Sequence, residues 1–225
     1  MVTYLGIDDG NFDTKSKYTR NPNGYTSHNE LPPMAREYLK YDGKYYVSTT
    51  DRFNYMEDKT ASERGLILSL FGIAKELLYR AEKNGLSGQA IQDYLLTADN
   101  IVLGVGLPPL HWKKHEEKKQ YYYDKMQNGI EYEYMGYRFS HHLLFCDVFP
   151  QDYAAIVTNA RDKAIAENQV VYGADIGGGT MDIVPVIDGK PAMTQCTTEN
   201  VGIMWMYRHI ISTIKLEHSI TVKAT

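Results

Sequence analysis

Two acids, each followed by a glycine turn, are the residues in this chain best suited to chemistry. Asp8 precedes Gly10 and then Lys15, giving the pattern D-x-G-x-x-x-x-K, and Asp175 precedes Gly177, Gly178, Gly179 and Thr180 in DIGGGT. A carboxylate at the end of a strand can hold a cation, and the bare backbone of a glycine turn can close its N–H groups on an anion as a nest. The triple glycine does not run directly into a helix. Dinucleotide folds and P-loops require that junction, so both are disfavoured. A single glycine hairpin is most often only a turn, but here two occur with an acid at matched positions. Gln151 adds a third polar group, where an apolar run ending at Phe149 meets Pro150.

These residues need strands to position them. Val170 to Ile176 reads as a buried strand, and Thr180 to Ile187 as its antiparallel partner, with Met181, Ile183, Pro185 and Ile187 on one face. The N-terminus repeats the arrangement, Val2 to Ile7 leading into Asp8 and Phe12 to Tyr18 returning. From Arg20 to Lys59 the chain is polar and tyrosine-rich, with an NPNG turn at Asn21 to Gly24 and a hairpin at Asp42-Gly43, and it reads as an inserted subdomain. Thr60 offers an N-cap with Glu63 at the capping-box position, opening a helix with Leu66, Leu70, Ile73, Leu77 and Leu78 on its packed face. A shorter helix follows near Ser87 to Leu96, then a buried apolar strand from Ile101 to Leu107.

The acids and bases of His111 to Met126 nearly cancel, so a solvated helix face is expected there rather than a nucleic-acid segment. Ile130 to Tyr134 and Tyr137 to Phe139 form a hairpin about Met135-Gly136. His141 and His142 are adjacent, which on a strand sends them to opposite faces, and they are assigned no role. Leu143 to Phe149 is the next strand, followed by a helix that Pro150 opens, with Tyr153, Ile156, Val157 and Ala160 facing inward. A third strand of the second half is expected near Pro191 to Gln195, and a last helix over Ile203 to Lys215. Each half repeats the same strand and helix order, an internally duplicated α/β chain.

Composition bounds the function classes. The 225 residues are 43% hydrophobic, enough for a real core, and a net charge of -4 with pI near 6.0 argues against a dedicated nucleic-acid surface. Cys146 and Cys196 lack metal-ligand spacing and read as buried thiols in a reducing cytoplasm. No run of apolar residues is long enough to span a bilayer, and the sequence enters a strand at once, so a cytoplasmic protein without membrane attachment is expected.

Taken with the strand-to-helix junction at Pro150-Gln151, the two D-x-G hairpins resemble the phosphate and connecting motifs of the actin, DnaK-chaperone and sugar-kinase superfamily, most nearly the ParM-type plasmid-segregation ATPases. The resemblance implies an actin-like, duplicated ribonuclease-H-like α/β fold. Its first lobe is 1–150, complete, with a small inserted subdomain at about 20–59; 151–168 is a connecting helix, and 169–225 a partial second lobe. The family continues with a further subdomain and a glycine-rich adenosine motif. This sequence has no glycine after Gly202. A C-terminal truncation or the loss of part of a nucleotide pocket is therefore expected, leaving the strand at Val170 to Ile176 as an exposed edge.

The same resemblance implies a nucleotide site for ATP or GTP with Mg²⁺. Asp8 and Asp175 would hold the ion through water, and Lys15 would meet phosphate oxygens. Backbone N–H groups of Gly10, Asn11 and Gly177 to Thr180 would cradle the β- and γ-phosphates. Gln151 would orient the attacking water, where otherwise it simply caps a helix. Hydrolysis would be coupled to self-association into filaments, with a DNA-binding adaptor as partner and no direct contact to nucleic acid. Two alternatives stay open: a DnaK-type chaperone lobe, which shares DIGGGT, and a sugar or acid kinase, for which Asp152 is the candidate base.

Overall fold

A computed structural model describes residues 2–10, 12–53, 62–151, 153, 156–157 and 170–220. The chain divides into two compact units, Met1–Leu107 with Lys113–Phe149, and Pro108–Trp112 with Pro150–Thr225.

In the first unit the strand carrying Asp8, β1 (Val2–Asp9), pairs antiparallel with β2 (Asp13–Lys15) and parallel with β7 (Asn100–Leu107). Around them lie β3 (Arg20–Pro22), β4 (Tyr25–His28), β5 (Tyr38–Tyr41), β6 (Lys44–Ser48), β8 (Ile130–Tyr134) and β9 (Tyr137–Pro150). All join one nine-stranded sheet in the order β3-β2-β1-β7-β9-β8-β5-β6-β4. The tyrosine-rich stretch supplies β3 to β6. It continues the sheet because β5 pairs antiparallel with β8, whose Tyr134 buries its ring and donates its hydroxyl to Glu37, while Tyr46 of β6 is buried in the same core.

One face of this sheet is covered by α1 (Arg64–Lys83) and α2 (Gln89–Thr97). Leu66, Leu70, Phe71, Ile73 and Leu77 of α1 are wholly buried in one core with Leu5, Ile7, Ile101, Leu103 and Val105. The expected Thr60 cap lies outside the described residues, and the helix begins after Glu63 without a side-chain cap. The run from Ile101 to Leu107 is not buried throughout. It alternates, with Ile101, Leu103, Val105 and Leu107 inward, because helices cover only one face of the strand.

The helix α3 (His115–Met126) exposes Glu116, Glu117, Gln120, Asp124 and Lys125 on the solvated face expected of it, and buries Lys118, Tyr122 and Met126, at i, i+4 and i+8, on the other. Their polar ends are satisfied, since Lys118 donates to the Gly106 carbonyl at 2.8 Å and Tyr122 shares a hydrogen bond with Ser69 at 2.7 Å. The segments at Tyr137 to Phe139 and Leu143 to Phe149 are one strand, β9. Pro150 ends that strand rather than opening a helix, and Gln151 sits in the turn after it.

His141, given no role from sequence, is fully buried. Its Nδ1 lies 2.6 Å from the Ala98 carbonyl, which can only accept, so Nε2 is left to accept from the Tyr132 hydroxyl at 3.1 Å. Cys146 is buried as expected, and burial pushes its thiol up to about 12, whereas Cys196 is only partly covered.

The second unit is built on β10 (Val170–Ile176) and β11 (Met181–Ile187), paired antiparallel from Val170↔Ile187 to Ile176↔Met181. The third strand is not where expected. Lys190–Pro191 forms a two-residue β12, Met193–Gln195 is a 3₁₀ turn, and β13 (Thr197–Glu199) pairs with β11. A helix, α4 (Ile203–His218), completes the described part. Tyr153, Ile156 and Val157 are helical, while the rest of 152–169 lies outside the described residues.

Candidate functional site

The first hairpin brings together most of the residues expected of it. Asp8 and Lys15 are direct cross-strand partners in β1 and β2, which places the lysine Nζ 3.9 Å from Asp8 Oδ2. Both side chains remain accessible, so the lysine is poised to exchange a carboxylate for another anion. Gly10 lies in the tight turn between them, where a Cβ would come within 2.9 Å of the Asp13 carbonyl oxygen. Asn11 lies outside the described residues.

The second hairpin closes as expected, with the Gly177 N–H donating to the Thr180 carbonyl at 2.8 Å. Its most informative feature lies beneath it. The N–H groups of Gly202, Ile203 and Met204, in the first turn of α4, donate to the carbonyls of Gly179, Gly177 and Gly178 at 3.2, 2.9 and 3.0 Å. These helix donors would otherwise lack a partner. A trans peptide is planar, with C=O and N–H directed oppositely, so carbonyls held toward α4 turn the N–H groups of Gly178, Gly179 and Thr180 the other way. Those three N–H groups bond to none of the described residues. The result is a short row of aligned donors above the positive end of a sixteen-residue helix, an arrangement that favours an anion.

Gly202 makes this docking possible and was not recognised as part of the site. A Cβ there would sit 2.6 to 2.7 Å from backbone atoms of Gly177, Gly178 and Gly179. The signal in the sequence was a glycine immediately before an apolar helical run. Asp182 was also missed, although it follows Thr180 by two residues in DIGGGTMD. It stands directly opposite Asp175 in the β10–β11 register, is 3% exposed, and accepts a hydrogen bond from Thr198. Carboxylates on facing positions repel one another, and a cation nearby relieves that repulsion.

Gln151 is half-buried at the end of β9, at the start of the second unit. Asp8, Gly10 and Lys15 belong to the first unit, while Asp175, Gly177 to Thr180 and Asp182 belong to the second. Among the described residues no cluster of three or more His, Cys, Asp or Glu side chains could hold a metal by itself. Within the second unit, Asp175 and Asp182 face each other across β10 and β11, and one or two carboxylates are what Mg²⁺ commonly takes beside several waters and phosphate oxygens. No described helix is long and apolar enough to cross a membrane.

Mixed α/β architecture with these two acid-glycine hairpins defines an actin-like fold, and solved structures bear this out. An archaeal actin homolog, Ta0583, in complex with ADP superposes with a TM-score of 0.67 at 15% identity, over 98% of this chain and 67% of that one. The AlfA filament bound to AMPPNP matches at 0.64 and 18% identity, over 97% of this chain and 78% of that one. ParM of Bacillus thuringiensis with ATP matches at 0.61 and 12% identity, over 98% and 67%. No protein-family model and no curated protein matches the sequence.

Proposed function

We propose that this chain is an actin-like nucleotide-binding protein that takes ATP, or GTP, with Mg²⁺, and couples its hydrolysis to filament assembly of the ParM type, moving plasmid or other DNA through an adaptor protein. The observation that carries the proposal is the row of outward N–H groups at Gly178, Gly179 and Thr180, held by α4 and flanked by Asp175. That row suits the terminal phosphates of a nucleotide. Lys15 supplies a cation on the other hairpin, and in this proposal backbone N–H groups of the Gly10 turn contact phosphate beside it.

In this reading Mg²⁺ would supply neutralisation of phosphate charge. Asp8 on the first hairpin and Asp175 on the second would be the carboxylates that hold it through water. Asp182, fixed by Thr198, adds negative charge beside Asp175. Gln151 positions water for in-line attack, and its amide leaves proton transfer to the phosphate itself or to solvent. Similar proteins support the ligand class, since Ta0583 is solved with ADP, AlfA as a filament with AMPPNP, and one ParM with ATP.

Titration of the 225-residue chain with ATP and GTP, with and without EDTA, tests the site. Binding that weakens on chelation is expected, and absence of binding to either nucleotide would overturn it. Sedimentation after ATP addition tests assembly separately, with nucleotide-dependent pelleting as the expected outcome.

A further inference from the structure

We infer that Asn23, in the NPNG turn, is a positioning residue for the first phosphate loop, and that Arg52 assists it. The inference rests on the nucleotide reading above and deepens it by assigning what holds the Gly10 turn in its anion-binding shape.

The turn reaches the loop from its carbonyl side. Asn23 Nδ2 donates to the Gly10 carbonyl at 2.7 Å, and the Asn23 backbone N–H donates to the Phe12 carbonyl at 3.1 Å. Arg52 Nε donates to the same Phe12 carbonyl at 2.9 Å, and Nη2 lies 3.0 Å from Asp13 Oδ1. The guanidinium also stacks over the Phe12 ring, 3.7 Å from its centroid. The Gly10 and Phe12 carbonyls are therefore tied down, which fixes the backbone at these two positions of the turn.

Asn23 is an unusual choice for a purely structural plug. It is fully buried, yet its Oδ1 has no hydrogen-bond partner, so the amide is kept for its donor alone. A buried unsatisfied acceptor costs stability, and residues retained at such a cost are candidates for a functional task. The amide orientation is set by chemistry, because the reverse placement would face one oxygen with another. The turn itself is anchored from outside the loop, the Phe53 N–H donating to the Asn23 carbonyl at 2.8 Å and the Thr49 N–H to Gly24 at 3.1 Å. Strand β6 and the segment after it thus brace the turn, and the turn braces the loop.

The test uses the full chain. Asn23→Asp keeps the shape but removes the donor, and Arg52→Met removes the second bond to Phe12 at a less buried position. Ser69→Ala is the control, deleting a buried hydrogen bond to Tyr122 on α3 in the same unit. ATP and ADP affinities are measured by calorimetry beside thermal melting. Asn23→Asp is expected to weaken ATP binding by about tenfold or more, and Arg52→Met by about three- to tenfold, as befits loss of one or two loop hydrogen bonds. Ser69→Ala is expected to lower the melting temperature while leaving both affinities within about twofold, its lost bond being remote from the loop. Wild-type binding with unchanged affinity in Arg52→Met and Asn23→Asp would overturn this inference alone, as would an equal loss in Ser69→Ala. Failure of the wild-type chain to bind any nucleotide would overturn the functional reading and this inference together.

Discussion

Gln151 cannot serve as a strong base, because a carboxamide does not accept a proton at neutral pH. Its contribution would be geometric, realised when water attacks phosphorus. Gln151→Ala is therefore expected to slow ATP hydrolysis by about 10- to 1000-fold with little change in nucleotide affinity. Single-turnover hydrolysis beside equilibrium binding checks this, and an equal loss in both would assign Gln151 to structure. His141 gives a second prediction at the same scale. Burial lowers its pKa below the ordinary 6.5, outweighing the Ala98 carbonyl and Asp99, which pull it upward. The unfolded chain then binds a proton that the folded chain resists, so stability is full above about pH 6.5 and is lost as pH falls toward the folded value, with a slope of up to about 1.4 kcal/mol per pH unit. Chemical denaturation between pH 7.5 and 5 measures it. His141→Gln should remove this part of the slope.

At the scale of elements, α4 does for the second hairpin what the NPNG turn does for the first. Its N-terminal donors bind carbonyls of the glycine loop, and a Cβ at Gly202 would lie 2.6 to 2.7 Å from the loop backbone. Gly202→Ala places a Cβ against backbone atoms that cannot swing aside, so helix or loop must shift. The expected result is a loss of about 1 to 3 kcal/mol in stability with a fall in nucleotide affinity of about tenfold or more, since the donor row tilts with the loop. Denaturant melts and calorimetry on this variant check both, and unchanged affinity would separate the helix from the site. The elements also explain the tyrosines. Tyr46, Tyr132 and Tyr134 fill the far half of the large sheet, where Tyr132 stacks on Phe139 with centroids 5.0 Å apart.

Across the whole molecule the two units differ in how much they bury. The first encloses a continuous core, while among the described residues of the second the buried apolar side chains are Val184 and Val186 of β11. In α4 no side chain is buried, and Trp205, Tyr207 and Ile210 are each half exposed or more. Among the described residues β10 pairs only with β11, and Val170, Tyr172 and Ile176 are exposed along it. An edge strand without Pro or Lys is prone to pair with another chain. Amide exchange should therefore be faster across β10, β11 and α4 than across β1, β7 and α1, because local opening there exposes little apolar surface. Mass-spectrometric hydrogen exchange on the intact chain measures this, and equal protection in the two units would contradict it.

Periodicity, turn chemistry and spacing were enough to read both acid-glycine hairpins, α1, α2 and the start of α4, since each depends on residues near one another in sequence; the actin-like class came from the resemblance of those hairpins to known phosphate motifs. The pairing of Asp8 with Lys15 was not read from the sequence and is set by the β1–β2 register. Other features needed distant partners. That α3 buries Lys118 and Tyr122 depends on the Gly106 carbonyl and Ser69, and that His141 is a core residue depends on Ala98. The place of Asp182 opposite Asp175 is a matter of register, yet its burial is tertiary. Above all, a glycine turn can aim either its carbonyls or its N–H groups at a ligand, and local sequence does not choose between them. For the second loop the first turn of α4 takes the carbonyls and leaves the N–H groups facing the other way, and in the first loop Asn23 and Arg52 hold the Gly10 and Phe12 carbonyls.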